Sequence, residues 1–174
     1  MARNEIYNFR NKIIVESEDL ILPNNRKMFL FKVRFMPITV SILPVFSDTK
    51  EVVLLKQYRP AINKYIIEVP AGTAEKDETP EEVAIRELKE ETGLIADNLK
   101  LITKAYLSPG YSTEYMYFFV AIDPKQEKQN LDETEIIETF RIKADKALEL
   151  INNGNIEDAK TILILLYARN IGII

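Results

Sequence analysis

A sharply bounded helix set among strand-forming segments is the feature that most constrains the fold. Thr79 can cap it, Pro80 suits its first turn, Glu82 stands three residues after the cap in the capping-box arrangement, and Gly93 supplies the stop. Upstream lie β-like runs at 13–15, 20–22, 28–35 and 38–43, and Pro23-Asn24-Asn25 is a turn signal between two of them. The N-terminal third therefore reads as a hairpin or meander. Residues 51–58 and 65–69 are further strands, the second stopped by Pro70. Downstream, 99–107, 115–122 and 136–142 read as strands and 144–152 and 156–170 as helices, with Gly154 between the helices. Ala159, Ile162, Leu163, Leu166 and Tyr167 form the predicted core-facing stripe of the last helix. Residues 123–135 are polar and aperiodic, the pattern of an exposed loop. This order predicts an α+β fold, an α/β/α sandwich on a mixed sheet, with an N-terminal antiparallel β element over 1–37 and the main domain over 38–174.

Composition then narrows the chemistry. The 174 residues include no His, Cys or Trp. That excludes disulfides, thiol nucleophiles, thiolate zinc sites, Ser-His-Asp triads and HExxH metal sites. Carboxylates, Lys, Arg, Tyr, Ser and Thr remain, with or without a hard metal. With 23 Lys plus Arg against 27 Asp plus Glu, the net charge is −4, so no basic field draws the chain to nucleic acid or to an anionic membrane. The first residues lack an apolar signal core, and no run approaches the roughly 18 apolar residues of a membrane span. The expectation is a cytoplasmic protein without nucleic-acid or membrane partners.

The segment 72–94 reads GTAEKDETPEEVAIRELKEETGL. On a helix Glu87 and Glu91 lie one above the other with Glu90 beside them, so three carboxylates share one face. Like charges so close repel unless something positive stands between them, and a hard divalent cation such as Mg²⁺ is the natural neutraliser. Arg86 is spaced to pair with Glu82 or Glu90. A bare cluster of this kind is ordinarily a solvated acidic face. Here the pattern is larger: Gly72, five residues, Glu78, seven residues, Arg86-Glu87-Leu88, one residue, Glu90-Glu91, one residue, Gly93-Leu94. Residue frequencies put a chance match on the order of 10⁻⁷.

This segment resembles the Nudix box at every position, and the chain is similar to the Nudix hydrolase superfamily. Three further elements resemble its ADP-ribose pyrophosphatase subgroup: Gln57-Tyr58-Arg59, Glu68-Val69-Pro70-Ala71-Gly72, and Ser108-Pro109-Gly110 followed by Glu114. Pro109 stands 15 residues after Leu94, where that subgroup carries proline. The resemblance implies a Nudix fold and Mg²⁺-dependent hydrolysis, with Mn²⁺ as a possible substitute, of the pyrophosphate bond of ADP-ribose to AMP and ribose 5-phosphate. It implies Glu87, Glu90, Glu91 and the Ala71 carbonyl as metal ligands, with Glu90 also positioning water. Glu78 and Arg86 would brace the loop and helix, and Gly72 and Gly93 would act as backbone hinges. Arg59, Ser108 and Glu114 would bind substrate. Glu133 matches the family's catalytic base, with Glu135 as a further metal ligand or the alternative base. The N-terminal region implies a β element exchanged across a homodimer; the stretch Arg34-Phe35-Met36-Pro37 departs from the small polar pattern usual there. Another nucleoside diphosphate sugar, a dinucleotide or a noncatalytic ADP-ribose sensor are the alternatives.

Overall fold

The computed structural model describes residues 3–127 and 136–174. Its first three strands, β1 (Arg3–Phe9), β2 (Ile13–Ile21) and β3 (Lys27–Phe35), form an antiparallel sheet in the order β1-β2-β3. The predicted meander is present and longer than expected. The two apolar runs at 13–15 and 20–22 are one strand, because the polar residues between them face charged partners: Lys32 reaches Glu18 at 2.7 Å and Glu16 at 3.5 Å. The Pro23-Asn24-Asn25 turn forms, with Asn25 at φ 64° and the Asn24 side chain accepting from the Arg26 N–H.

The main sheet is mixed. Strands β4 (Thr39–Phe46), β5 (Glu51–Arg59), β6 (Lys64–Glu68), β7 (Ala71–Thr73), β9 (Leu99–Tyr106), β10 (Tyr115–Ile122) and β12 (Ile137–Lys143) run in the order β12-β5-β4-β10-β9, with β6 beside β5 and β7 beside β4. β4 is parallel to β10, and its burial along both faces accounts for a nearly continuous apolar run. Pro44 sits inside this central strand where its missing N–H is harmless: the pairs with β7 end at Ser41 and those with β5 begin at Val45. A short pair, β8 (Leu94–Ile95) with β11 (Lys125–Gln126), closes against the main body, so the predicted loop at 123–135 begins with a strand.

Helix α1 (Pro80–Thr92) covers one face of the sheet, burying Val83, Ala84 and Leu88 with Val40, Ile42 and Phe119. Helices α2 (Ala144–Asn152) and α3 (Ala159–Asn170) cover the other, around Leu54, Phe118, Ile164 and Leu165. This is the expected α/β/α sandwich. The α3 stripe is corrected in part: Ile162 and Leu163 pack half-buried against the core as expected, Thr161, Ile164, Leu165 and Ala168 are buried, and Ala159, Leu166 and Tyr167 are exposed. A polar residue sets the buried phase, since Thr161 is satisfied from inside the protein. Among the described residues no helix is long and apolar enough to cross a membrane.

Candidate active site

The capping box of α1 forms as the sequence predicts: Thr79 Oγ1 accepts from the Glu82 N–H, and the Glu82 carboxylate accepts from the Thr79 N–H at 2.8 Å. Gly93 ends the helix at φ 69°, a conformation that favours glycine. With Glu82 engaged at the cap, Arg86 pairs elsewhere. Its Nε and Nη2 meet both oxygens of Glu78 at 2.8 and 3.0 Å, its Nη1 meets Glu87 at 2.8 Å and Glu90 at 2.9 Å, and Nη2 also donates to the Thr73 carbonyl at 3.1 Å. The expected Arg86–Glu90 pair is therefore present, and Glu78 takes the place of Glu82. This guanidinium is a positive group shared by Glu78, Glu87 and Glu90. Arg86 in turn holds the Glu78 carboxyl below its ordinary value, helped by the Glu75 N–H.

The carboxylates are folded onto strand β7. Glu91, almost wholly buried, accepts from the Ala71 N–H at 2.9 Å. Glu87 lies against Gly72 so closely that a Cβ there would stand 1.9 Å from the Glu87 Cδ. Gly72 is not held in a left-handed conformation as the hinge reading expected; instead the Glu87 carboxylate occupies the volume that a side chain at 72 would take. Among the described residues, no group of three or more acidic side chains is gathered as a ready metal cage. The chemistry of the donor set, carboxylates and a carbonyl without nitrogen or sulfur, still fits a hard divalent cation.

On β7 the residues Ala71, Gly72 and Thr73 line a cavity of about 430 Å³. Thr39, Arg59, Leu107, Ser108, Glu114, Met116 and the start of α3 complete its walls. Five sequence-predicted positions, Arg59, Ala71, Gly72, Ser108 and Glu114, thus meet around one space. Along β4 the pairs with β7 cover Thr39–Ser41 and those with β5 cover Val45–Phe46, and the start of α3 lines the cavity with β7 and Arg59. Burial pushes the Glu114 carboxyl up, against the pull of Lys160 and Thr39. The Ser108 loop is braced by the N-terminal sheet: the Val33 N–H donates to the Tyr111 carbonyl at 2.7 Å, the Thr113 N–H to the Val33 carbonyl at 3.0 Å, and the Phe35 N–H to Thr113 Oγ1 at 2.9 Å. The Arg34-Phe35 stretch that departs from the family pattern is therefore joined to the loop carrying Ser108.

Arg59 is not solitary. Its Nε and Nη2 grip the two oxygens of Glu68 at 2.5 and 2.6 Å, and Lys160 binds the same carboxylate while also meeting Asp158 at 2.9 Å. Burial pushes Glu68 up, but Arg59 and Lys160 outweigh it, so its carboxyl is held below the ordinary value. Asp158 caps α3, and the Thr161 hydroxyl donates to Asp158 at 2.6 Å while accepting from the Val69 N–H at 2.9 Å. Sequence reasoning missed Lys160, Asp158 and Thr161. The available signal was an Asp before a helical run, an N-cap pattern, displaced by an earlier predicted start at Ile156. Glu133 and Glu135 lie outside the described residues.

A mixed sheet between helices, with a carboxylate-bearing helix folded onto the strand that leads into it, defines the Nudix type of sandwich. A family model described as NUDIX domain matches residues 36–163, and the chain belongs to that family. It is 38% identical over 170 residues to the ADP-ribose pyrophosphatase of Bacillus subtilis (strain 168), covering 96% of this chain and 90% of that protein. It is 32% identical over 162 residues to the methanol dehydrogenase activator of Bacillus methanolicus, covering 91% and 86%. It is 36% identical over 136 residues to a GDP-mannose pyrophosphatase of Salmonella typhimurium, covering 73% and 71%. Among solved structures, an ADP compounds hydrolase shares the fold at a TM-score of 0.86 and 24% identity, over 98% of this chain and 91% of that one.

Proposed function

We propose that this chain is a pyrophosphohydrolase that cleaves ADP-ribose to AMP and ribose 5-phosphate. The observation that carries the reading is the single cavity that joins Arg59, the box strand β7, Ser108 and Glu114. Membership of the family and 38% identity to an ADP-ribose pyrophosphatase over nearly the whole chain support it. The likeness to a GDP-mannose pyrophosphatase supports the same bond in another nucleoside diphosphate sugar as the second reading.

In this reading Glu87, Glu90, Glu91 and the Ala71 carbonyl hold a divalent cation, Mg²⁺ or Mn²⁺, with Glu135 as an additional ligand. When bound, the cation neutralises the pyrophosphate and acidifies water. Arg59 offers its guanidinium to a substrate phosphate, a task that suits its planar fork. Ser108 and Glu114, which line the same cavity, contact the substrate as well. Glu133 takes the proton as a water oxygen attacks phosphorus and the bridging P–O bond breaks. Gly72 admits the Glu87 carboxylate, and Arg86 with Glu78 keeps the box loop against α1. The protein works as a cytoplasmic homodimer that joins through its N-terminal sheet, with neither nucleic acid nor membrane as partner.

The test is a panel with Mg²⁺ comprising ADP-ribose, GDP-mannose, other nucleoside diphosphate sugars, diadenosine polyphosphates and NADH. The highest kcat/KM on ADP-ribose is expected. Preference for GDP-mannose would select the second reading, and no turnover of any member would favour a sensor.

A further inference from the structure

Arg59, Glu68, Lys160 and Asp158 form a continuous chain of ion pairs, and only Arg59 has a part in the reaction described above. Glu68 is 1% exposed and gives one edge of its carboxylate to the Nε and Nη2 of Arg59. That bidentate grip occupies one edge of the guanidinium and leaves the Nη1 side for a further anion at the cavity, where Arg59 forms part of the wall. Rotation of the fork would break two charge-assisted hydrogen bonds to a carboxylate that has little water to turn to. Glu68 is itself fixed by a second cation, on the oxygen that Arg59 Nη2 also binds. Lys160, 11% exposed, binds Glu68 Oε2 and is anchored by Asp158, which caps α3 and is tied through Thr161 to the Val69 N–H. The direction of Arg59 is therefore set by a helix about 100 residues further along the chain.

We infer that Glu68, fixed by Lys160, is a positioning residue that presents the outer edge of Arg59 to a substrate phosphate. The inference rests on the hydrolase reading for the identity of the substrate, while the geometry applies to any diphosphate that enters the cavity.

Glu68→Gln keeps the size and one acceptor but removes the charge that orients both cations. The expected result is a KM for ADP-ribose raised about tenfold with kcat little changed. In an Arg59→Ala background the same substitution should leave KM where Arg59→Ala alone puts it. Effects on KM that simply add would overturn the inference, whatever the change in unfolding temperature. Lys160→Met, which keeps the aliphatic stem, should give the same dependence on Arg59 and decides the matter if Glu68→Gln does not fold. Calorimetric titration with ADP reads the same variants without hydrolysis. A wild-type protein that binds ADP but hydrolyses no member of the panel would sink the hydrolase reading alone; equal ADP affinity for wild type, Glu68→Gln and Lys160→Met would sink the positioning role.

Discussion

The carboxyl group of Glu87 occupies the place of a side chain at Gly72: a Cβ on residue 72 would stand 1.9 Å from both the Cδ and Oε1 of Glu87. The clash is with the far end of a flexible side chain rather than with backbone, so the fold can yield by moving the carboxylate. Gly72→Ala should therefore cost little stability, within about 1–2 kcal/mol, while displacing a proposed metal ligand. We expect an unfolding temperature close to wild type and turnover lowered at least tenfold, read on the same preparation. Unchanged turnover would show that the position of Glu87 does not matter to the reaction.

Arg86 satisfies three carboxylates and the Thr73 carbonyl at once. Its replacement by Met leaves Glu87 and Glu90 as neighbouring like charges and the Thr73 carbonyl without this donor. A loss of about 2–4 kcal/mol at neutral pH is expected in urea denaturation. The pH dependence has a definite sign. Because Arg86 and the Glu75 N–H hold Glu78 below its ordinary value of 4.5, that group contributes stability above pH 4.5, lost as pH falls through the lower folded value. Arg86→Met removes the larger cause, so its stability should fall less steeply than wild type on acidification below pH 4.5. Parallel acid limbs would argue against Arg86 as the source.

Local chemistry explains which parts of this architecture were legible in sequence. The limits of α1 rest on Thr79, Pro80, Glu82 and Gly93, whose capping interactions span only a few residues, so sequence and structure agree there. β1 was missed because RNEIYNF mixes polar and apolar residues and pairs only with β2 at the edge of the N-terminal sheet, and β7 because three residues, Ala71–Thr73, carry no period. The α3 stripe was only partly in phase, with Ile162 and Leu163 on the core but Ala159, Leu166 and Tyr167 outside, because Thr161 counts as polar, yet it is buried with its hydroxyl bonded to Asp158 and Val69. Lys160 and Glu68 meet across 92 positions, a relation no spacing rule contains. Arg59 was found as a candidate, but the carboxylate that holds it was visible only in three dimensions.

Thr161 joins α3 to the segment leading into the box, since its hydroxyl accepts from the Val69 N–H and donates to Asp158. Thr161→Val keeps the shape and removes both bonds, leaving a buried N–H without that acceptor. Destabilisation of about 1–3 kcal/mol is expected, with Thr161→Ser retaining most of the wild-type value. Denaturant titration of the two variants provides the comparison, and equal stabilities for Val and Ser would mean that the hydroxyl contributes nothing.

The proposed roles of the glutamates separate by what each substitution can still do. Gln at 91 keeps an oxygen able to accept from the Ala71 N–H, and Gln at 90 keeps one for Arg86, so both folds should survive. Both lose anionic donors for the proposed cation, and turnover should fall by roughly two or more orders of magnitude, as should that of wild type after chelation. Glu133→Gln should instead retain cation binding while losing about 10²–10⁴-fold in kcat, the usual worth of a positioned general base. Cation affinity by calorimetry and kcat by product release distinguish the two classes. Should Glu133→Gln match wild type while Glu135→Gln loses kcat with cation affinity intact, the base would be Glu135, because the carboxylate that accepts the proton must be the one whose charge the rate requires.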